Sequence, residues 1–154
     1  MQKISAILFL LIVLRSCEPP NLFVESRLKT AEKFVECLVK NQSDKILDFS
    51  DAHVDYNISD KESRDFYVKK ASTFINHFGL PPTSKWIVKH DLQNNFERLV
   101  ITIPIFKGYD STFNLLQADI VLVFPPPQIG DKIYKFDVAD QYDFSKMGPI
   151  LAPQ

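Results

Sequence analysis

The sequence predicts an α+β fold in which N-terminal helices and one long helix pack on a curved, mainly antiparallel sheet of four to five strands. Two patterns indicate this class. Apolar residues recur at helical spacing in the first half of the chain, and short runs rich in Ile and Val fill the second half. No helical pattern separates those runs, so the crossover connections of a parallel sheet are missing. With 154 residues and 45% hydrophobic content, the chain suffices for one domain with its own core.

Amphipathic patterns predict three helices before the sheet. They span residues 22–40, 44–49 and 59–78, with apolar residues recurring three and four positions apart. The third pattern begins with a Ser-x-x-Glu capping box at residues 59–62, which satisfies backbone donors at a helix start. It ends at Gly79, a residue type that commonly terminates helices.

Alternating or continuous apolar runs bounded by turn residues predict the strands. They span residues 53–58, 85–92, 96–106, 115–124 and 132–142. Within the run 115–124, residues 118–124 are apolar except for Asp119, which places the run in the interior of the sheet. Pro104 interrupts the preceding run, and because proline cannot donate to a strand ladder we expect an edge position or a bulge there.

The first sixteen residues have the pattern of a signal peptide. A short positive region precedes eleven nearly unbroken apolar residues, Ile4 to Leu14, which are too few to span a bilayer. Residues 14–17, Leu-Arg-Ser-Cys, resemble the bacterial lipobox, with Arg15 standing where a small or β-branched residue is usual. An uncleaved signal anchor and a buried first helix are the alternative interpretations. The predicted organisation follows in chain order: a signal peptide (1–16), a lipidated tether (17–21), a folded domain (22–143) and an irregular tail (144–154).

The lipobox resemblance implies that the thiol of Cys17 carries a lipid and that Cys17 becomes the first residue of the mature protein. Two or more acyl chains anchor a protein stably, whereas a single chain holds it only marginally. The resemblance therefore implies a bacterial cell-envelope protein held to a membrane at Cys17, with its folded domain outside the cytoplasm.

The order and lengths of the predicted elements resemble the nuclear-transport-factor-2-like superfamily, in which a cystatin-like sheet curls around its helices into a cone, and small bacterial lipoproteins with that fold. The resemblance covers about residues 22–142 and implies a cone-like domain. Enzymes of this type place an Asp or His base and a Tyr donor at the cone mouth. Pocket candidates of these residue types are His90, Asp119 and Tyr134. Their alternative roles are a pocket wall for His90, a partly solvated face for Asp119, and core packing on an aromatic strand face for Tyr134.

Other chemistry has little support in the sequence. The three His residues are too scattered for a local metal-ligand pattern, and no nucleotide-binding or nucleophile-elbow motif is present. Cys37 lies on the flank of the first helix, where a small, space-filling and partly exposed residue is expected in preference to a reactive thiol. A formal net charge of −1 without a basic block argues against a nucleic-acid partner. We expect no catalytic residue, metal or cofactor.

The favoured interpretation is a non-catalytic, lipid-anchored bacterial envelope protein that binds a small apolar ligand or an envelope protein partner. Two alternatives remain open. One is a small lyase or isomerase of the cone type with an Asp or His base, and the other is a homodimer that pairs its sheet faces.

Overall fold

The computed structural model describes residues 20–51, 53, 55–93, 96–109 and 115–140. Within these residues three α-helices precede four strands, which confirms the predicted α+β class. The helices are α1 (Pro20–Val39), α2 (Tyr56–Ser59) and α3 (Lys61–Phe78), and the strands are β1 (Ile87–Gln93), β2 (Phe96–Tyr109), β3 (Leu115–Phe124) and β4 (Lys135–Asp140). The predicted signal peptide, Cys17 and the tail 144–154 lie outside the described residues.

The sheet has the order β1-β2-β3-β4, and every neighbouring pair is antiparallel. The strand predicted for the sheet interior, β3, pairs with β2 on one side and with β4 on the other. The sheet is curved and does not close on itself. The edge strand β1, which pairs with β2, starts later than predicted, because Thr83–Lys85 forms a 3-10 turn before the strand begins.

The core lies between the helices and one face of the sheet, which we call the inner face. Leu99, Ile101 and Ile103 of β2 pair with Phe124, Leu122 and Ile120 of β3, and all six are fully buried on the inner face. On the helical side Phe34 of α1 and Phe74 of α3 are also fully buried. The ring of Phe34 meets that of Phe136 in β4 edge to face, with centroids 5.1 Å apart, so α1 and the far strand share one core.

A bulge in β2 confirms the prediction made from Pro104. Pro104 pairs with Asp119 and Phe106 pairs with Ala118, so Ile105 has no partner across the ladder. The neighbouring strand β1 pairs with β2 only as far as Thr102, so Pro104 also lies on a stretch with a free edge. The extra residue reverses which positions of β2 face the core. Ile103, an odd-numbered position, faces the core before the bulge, and Phe106, an even-numbered position, packs against the core after it.

The short strand predicted for residues 53–58 is wrong. Residues 56–59 form α2, and Asp55 caps that helix by accepting a hydrogen bond from the backbone N–H of Asn57 at 3.2 Å. The cap of α3 is also displaced by one residue from the prediction. Asp60, not Ser59, accepts a hydrogen bond from the N–H of Ser63 at 2.8 Å. Both corrections have one cause, since an Asp side chain before a helix supplies the acceptor that its free N–H groups need.

Asp55 and Asn57 also cover the free edge of β4. The second carboxylate oxygen of Asp55 accepts from the N–H of Phe136 at 2.8 Å, and the Asn57 side-chain amide donates to the carbonyl of Phe136 at 3.0 Å. Ahead of β4, Ile133 exchanges backbone hydrogen bonds with Phe49 and Asp51. The chain before α3 therefore satisfies backbone groups of β4 that would otherwise offer a site for another strand.

Arg27 joins α1 to the loop between β3 and β4. Its side chain is buried, and Nη2 donates to the carbonyls of Pro125 at 2.6 Å and Gly130 at 3.1 Å. The carboxylate of Asp131 lies 3.6 Å from Nε. Burial lowers the pKa of Arg27 and Asp131 opposes that shift, so the buried charge is compensated by oxygen atoms of one loop.

Candidate functional site

The three pocket candidates from the sequence do not share one site. His90 is on the inner face of β1, opposite Leu99, and its exposed side chain places Nδ1 2.7 Å from Oε1 of Glu97. With Arg27 and Pro127, among other residues, it lines a cavity of about 30 Å³. That volume is close to the volume of one water molecule, so the cavity beside His90 is too small for an organic ligand.

Asp119 is on the opposite, outer face of the sheet. It is half-buried and accepts a hydrogen bond from the side-chain amide of Gln117, a group that does not exchange protons in the manner of a catalytic acid or base. Asp119 borders a shallow depression of about 280 Å³ with Gln117, Ala139 and Asp140. The carboxylate of Asp140 is already 2.6 Å from the ammonium group of Lys70. Among the described residues no hydrogen bond joins Asp119 to a second titratable group.

Tyr134 belongs to a polar network that crosses the sheet. Its hydroxyl accepts a hydrogen bond from Nη1 of Arg98 at 2.7 Å, and Arg98 also pairs with Asp91 on β1. The pKa of Arg98 is raised, mainly by the hydrogen bond with Tyr134 and to a smaller extent by the hydrogen bond with Asp91. Tyr134 lies just before β4, so this network connects β1 and β2 to the segment that leads into β4, and it gives Tyr134 a structural role.

A groove between α1 and the segment after α3 is a better candidate site. One side is a face of α1 with positions three and four apart, and the other is the chain from Leu80 to Trp86. The volume is about 370 Å³, which falls within the range of roughly 300–1,000 Å³ usual for small-ligand pockets. The lining residues are Glu32, Val35, Glu36, Val39, Lys40, Leu80, Pro81, Pro82, Thr83 and Trp86.

The wall formed by residues 80–86 is held in place by local structure. Gly79 ends α3 at φ 86° and ψ 157°, a backbone conformation that is essentially restricted to glycine. Pro81 and Pro82 then fix two φ angles. The indole N–H of Trp86 donates to the carbonyl of Pro81 at 3.2 Å and closes the segment on itself. The wall is therefore formed before any ligand arrives.

The groove leaves apolar side chains open to solvent. Val39 is 38% exposed and Leu80 is 41% exposed, and these two residues come from opposite sides of the groove. Trp86 is 7% exposed and Val35 is buried, so they form its deeper part. Apolar surface in a concave, preformed site is what a small apolar ligand or side chain requires.

Sequence reasoning did not identify this groove, although one signal was present. Val35 and Val39 belong to the apolar stripe of α1 together with Ala31 and Leu38, and that stripe is wider than the part of the helix that the core covers. After Gly79, the predicted helix end, the sequence predicts no element before residue 85 and therefore no wall of a site there. That these two segments meet depends on the packing of α1 against α3, which no local pattern encodes.

The thiol of Cys37, next to Glu36 in the sequence, does not line the groove. The nearby thiol, Cys37, is buried and free, and burial raises its pKa, which makes it a poor nucleophile. The prediction of a partly exposed Cys37 is thus wrong, because the side chain is turned into the core. Across the part of the chain that the structure describes, no three metal-ligating side chains come together.

Comparisons with known protein families, with curated proteins and with solved structures found no match. Within the described ranges, none of the helices combines the length and apolar content needed to cross a bilayer. Function is therefore inferred from the groove and the sequence.

Proposed function

We propose that this chain is a non-catalytic, lipid-anchored protein of the bacterial envelope whose domain binds a small apolar ligand in the groove between α1 and residues 80–86. The groove supports this proposal, since it is preformed, apolar in its depth and open to solvent. Its volume suits a chain of several methylene groups better than a protein surface, which needs a far larger contact area.

The anchor and the groove are separate in this proposal. Two residues separate Cys17 from the start of α1, whereas Val39 is the last residue of that helix. A helix of 20 residues is about 30 Å long, so Val39 in the groove is nearly that far from the start of α1. A lipid anchored in the membrane would leave the groove free for another ligand.

The anchor is tested by replacing Cys17 with Ala. We expect the variant to leave the membrane fraction or to stall before signal-peptide cleavage, because the acceptor thiol is gone. Fractionation and mass spectrometry of the N-terminal peptide measure this, with Cys37→Ala as the matched control. Membrane attachment and acylation that are unchanged in Cys17→Ala would exclude the proposed anchor.

The ligand site is tested with 1-octanol and the fluorescence of Trp86, the single tryptophan of the chain. The full-length protein is reconstituted in phosphatidylcholine vesicles, and the Trp86 emission is followed as octanol is added. We expect a saturable change that is lost in Val39→Asp, which places a carboxylate among the apolar lining residues. A Trp86 signal that rises only linearly with octanol, and equally in both proteins, would contradict a binding site.

A second candidate function is a homodimer that pairs outer sheet faces. The described helices pack on the inner face, and the outer face carries Val100 and Val121 at its centre. Lys135 and Asp137 are two positions apart on the outer face of β4. In a face-to-face dimer whose twofold axis lies parallel to the sheet and perpendicular to the strands, Lys135 of one copy would lie near Asp137 of the other. Native mass spectrometry tests this: a dimer that Val121→Lys dissociates supports it, and a monomer at micromolar concentration excludes it.

A further inference from the structure

The charges around the groove point to the chemistry of its ligand, and this inference rests on the proposed function. We infer that the groove selects an aliphatic ligand that carries an ammonium group, in preference to a neutral or anionic amphiphile of the same length. The apolar part would occupy the surface formed by Val35, Val39 and Trp86, and the ammonium group would lie beside Glu32 on α1.

The side of the groove formed by α1 has an unbalanced negative charge. Glu32, Glu36 and Lys40 are the charged lining residues, and they follow one another at four-residue spacing on the same helix face. Lys40 is 3.9 Å from Glu36, so these two charges offset each other. Among the described ion pairs none includes Glu32, which leaves one carboxylate at the groove without a cation.

The opposite wall does not compensate that charge. Its lining residues are Leu80, Pro81, Pro82, Thr83 and Trp86, none of which is ionisable at neutral pH. Lys85 belongs to the same segment but is not among the lining residues. Among the lining residues, an anionic head group would meet Glu32 and Glu36 with Lys40 as the single cation, whereas an ammonium group would meet a carboxylate that has no described ion pair.

The expected preference is modest, because Glu32 is exposed and its interactions are screened by solvent. Exposed ion pairs contribute about 0.2–1 kcal/mol, which corresponds to roughly 1.4- to 5-fold in affinity. We therefore expect octylamine to bind up to about 5-fold more tightly than 1-octanol, and octanoate to bind more weakly than either. The preference should shrink in 1 M NaCl, where the Debye length is about 3 Å.

The test compares octylamine, 1-octanol and octanoate at pH 7 on the full-length protein in phosphatidylcholine vesicles, with Trp86 emission as the signal. Partitioning into the vesicles differs among the three probes but is the same for every variant, so each affinity is expressed at the free aqueous concentration of the probe and differences between variants report on the groove. Glu32→Gln should lower the affinity for octylamine to that for octanol and leave the affinity for octanol unchanged. Glu25→Gln is the matched control, because Glu25 is on the same helix, is exposed, pairs with Lys29 and does not line the groove.

The outcomes separate this inference from the proposed function. The inference is supported if the native protein and Glu25→Gln bind octylamine most tightly, octanol less tightly and octanoate most weakly. It also requires that Glu32→Gln bind octylamine no more tightly than octanol. Equal binding of the three probes, or a preference for octylamine that Glu32→Gln leaves intact, overturns it while the apolar site stands. Saturable binding of none of the probes overturns the proposed function itself.

Discussion

Replacing Asp55 with Ala should destabilise the domain by more than the loss of a helix cap. Oδ1 of Asp55 accepts from the N–H of Asn57 at the start of α2, and Oδ2 accepts from the N–H of Phe136 on the edge strand β4. Loss of a helix cap costs about 1 kcal/mol. A partly buried N–H left without its partner costs a further 1–3 kcal/mol or so. The sum predicts a free energy of unfolding lower by about 2–4 kcal/mol.

The matched control is Asp60→Ala. Asp60 caps α3 by accepting one hydrogen bond from Ser63, and no described hydrogen bond joins its side chain to the sheet. Its loss therefore measures a cap alone, at about 1 kcal/mol. The difference between the two variants isolates the contact between Asp55 and β4.

Urea denaturation followed by circular dichroism measures both variants. With a slope of about 2 kcal/mol per molar urea, the midpoint should fall by about 1–2 M for Asp55→Ala and by about 0.5 M for Asp60→Ala. Equal shifts for the two variants would refute the reasoning, because they would mean that the bond to Phe136 contributes nothing beyond the cap.

Two further predictions concern single residues near the groove. Gly79→Ala should lower the free energy of unfolding by about 1–3 kcal/mol and shift the Trp86 emission, because the backbone conformation at this position is one that only glycine adopts readily. No atom lies within 4 Å of an added Cβ, so the cost comes from the backbone and not from a clash. An unchanged denaturation midpoint would contradict this prediction. Burial raises the pKa of Cys37 from its ordinary value of 9.0, so stability should hold below pH 9 and fall above it as the unfolded thiol ionises. Cys37→Ala should remove that decline, measured by urea denaturation between pH 7 and 10.

The elements that the sequence predicted well are those in which local pattern and packing agree. Leu115–Phe124 has the predicted bounds, because a mostly apolar run of that length, rich in β-branched residues and bounded by turn residues, suits a strand inside a sheet. Pro104 marks both a bulge and a free edge, since a residue without an N–H fits no fully paired position. In both cases the chemistry of the residue itself imposes the structure.

The errors occurred where distant residues decide the local structure. Six alternating residues, 53–58, are too few to separate a strand from a turn and a short helix, and the bond from Asp55 to Phe136, 81 residues away, selects the helix. The site candidates followed the same rule. Residue type identified His90, Asp119 and Tyr134, but the face and the end of the sheet that each occupies depend on register. Register is a property of two strands, so a single strand cannot predict it.

The attachment of Arg27 gives the domain a direction of mechanical strength. A force applied at the N-terminal end of α1 is transmitted along seven residues, about 10 Å of helix, before it reaches Arg27. There the load divides between the helix and the loop that holds Pro125 and Gly130, because the guanidinium group donates to both carbonyls. Separating this part of α1 from the β3–β4 loop therefore requires that both of these hydrogen bonds break.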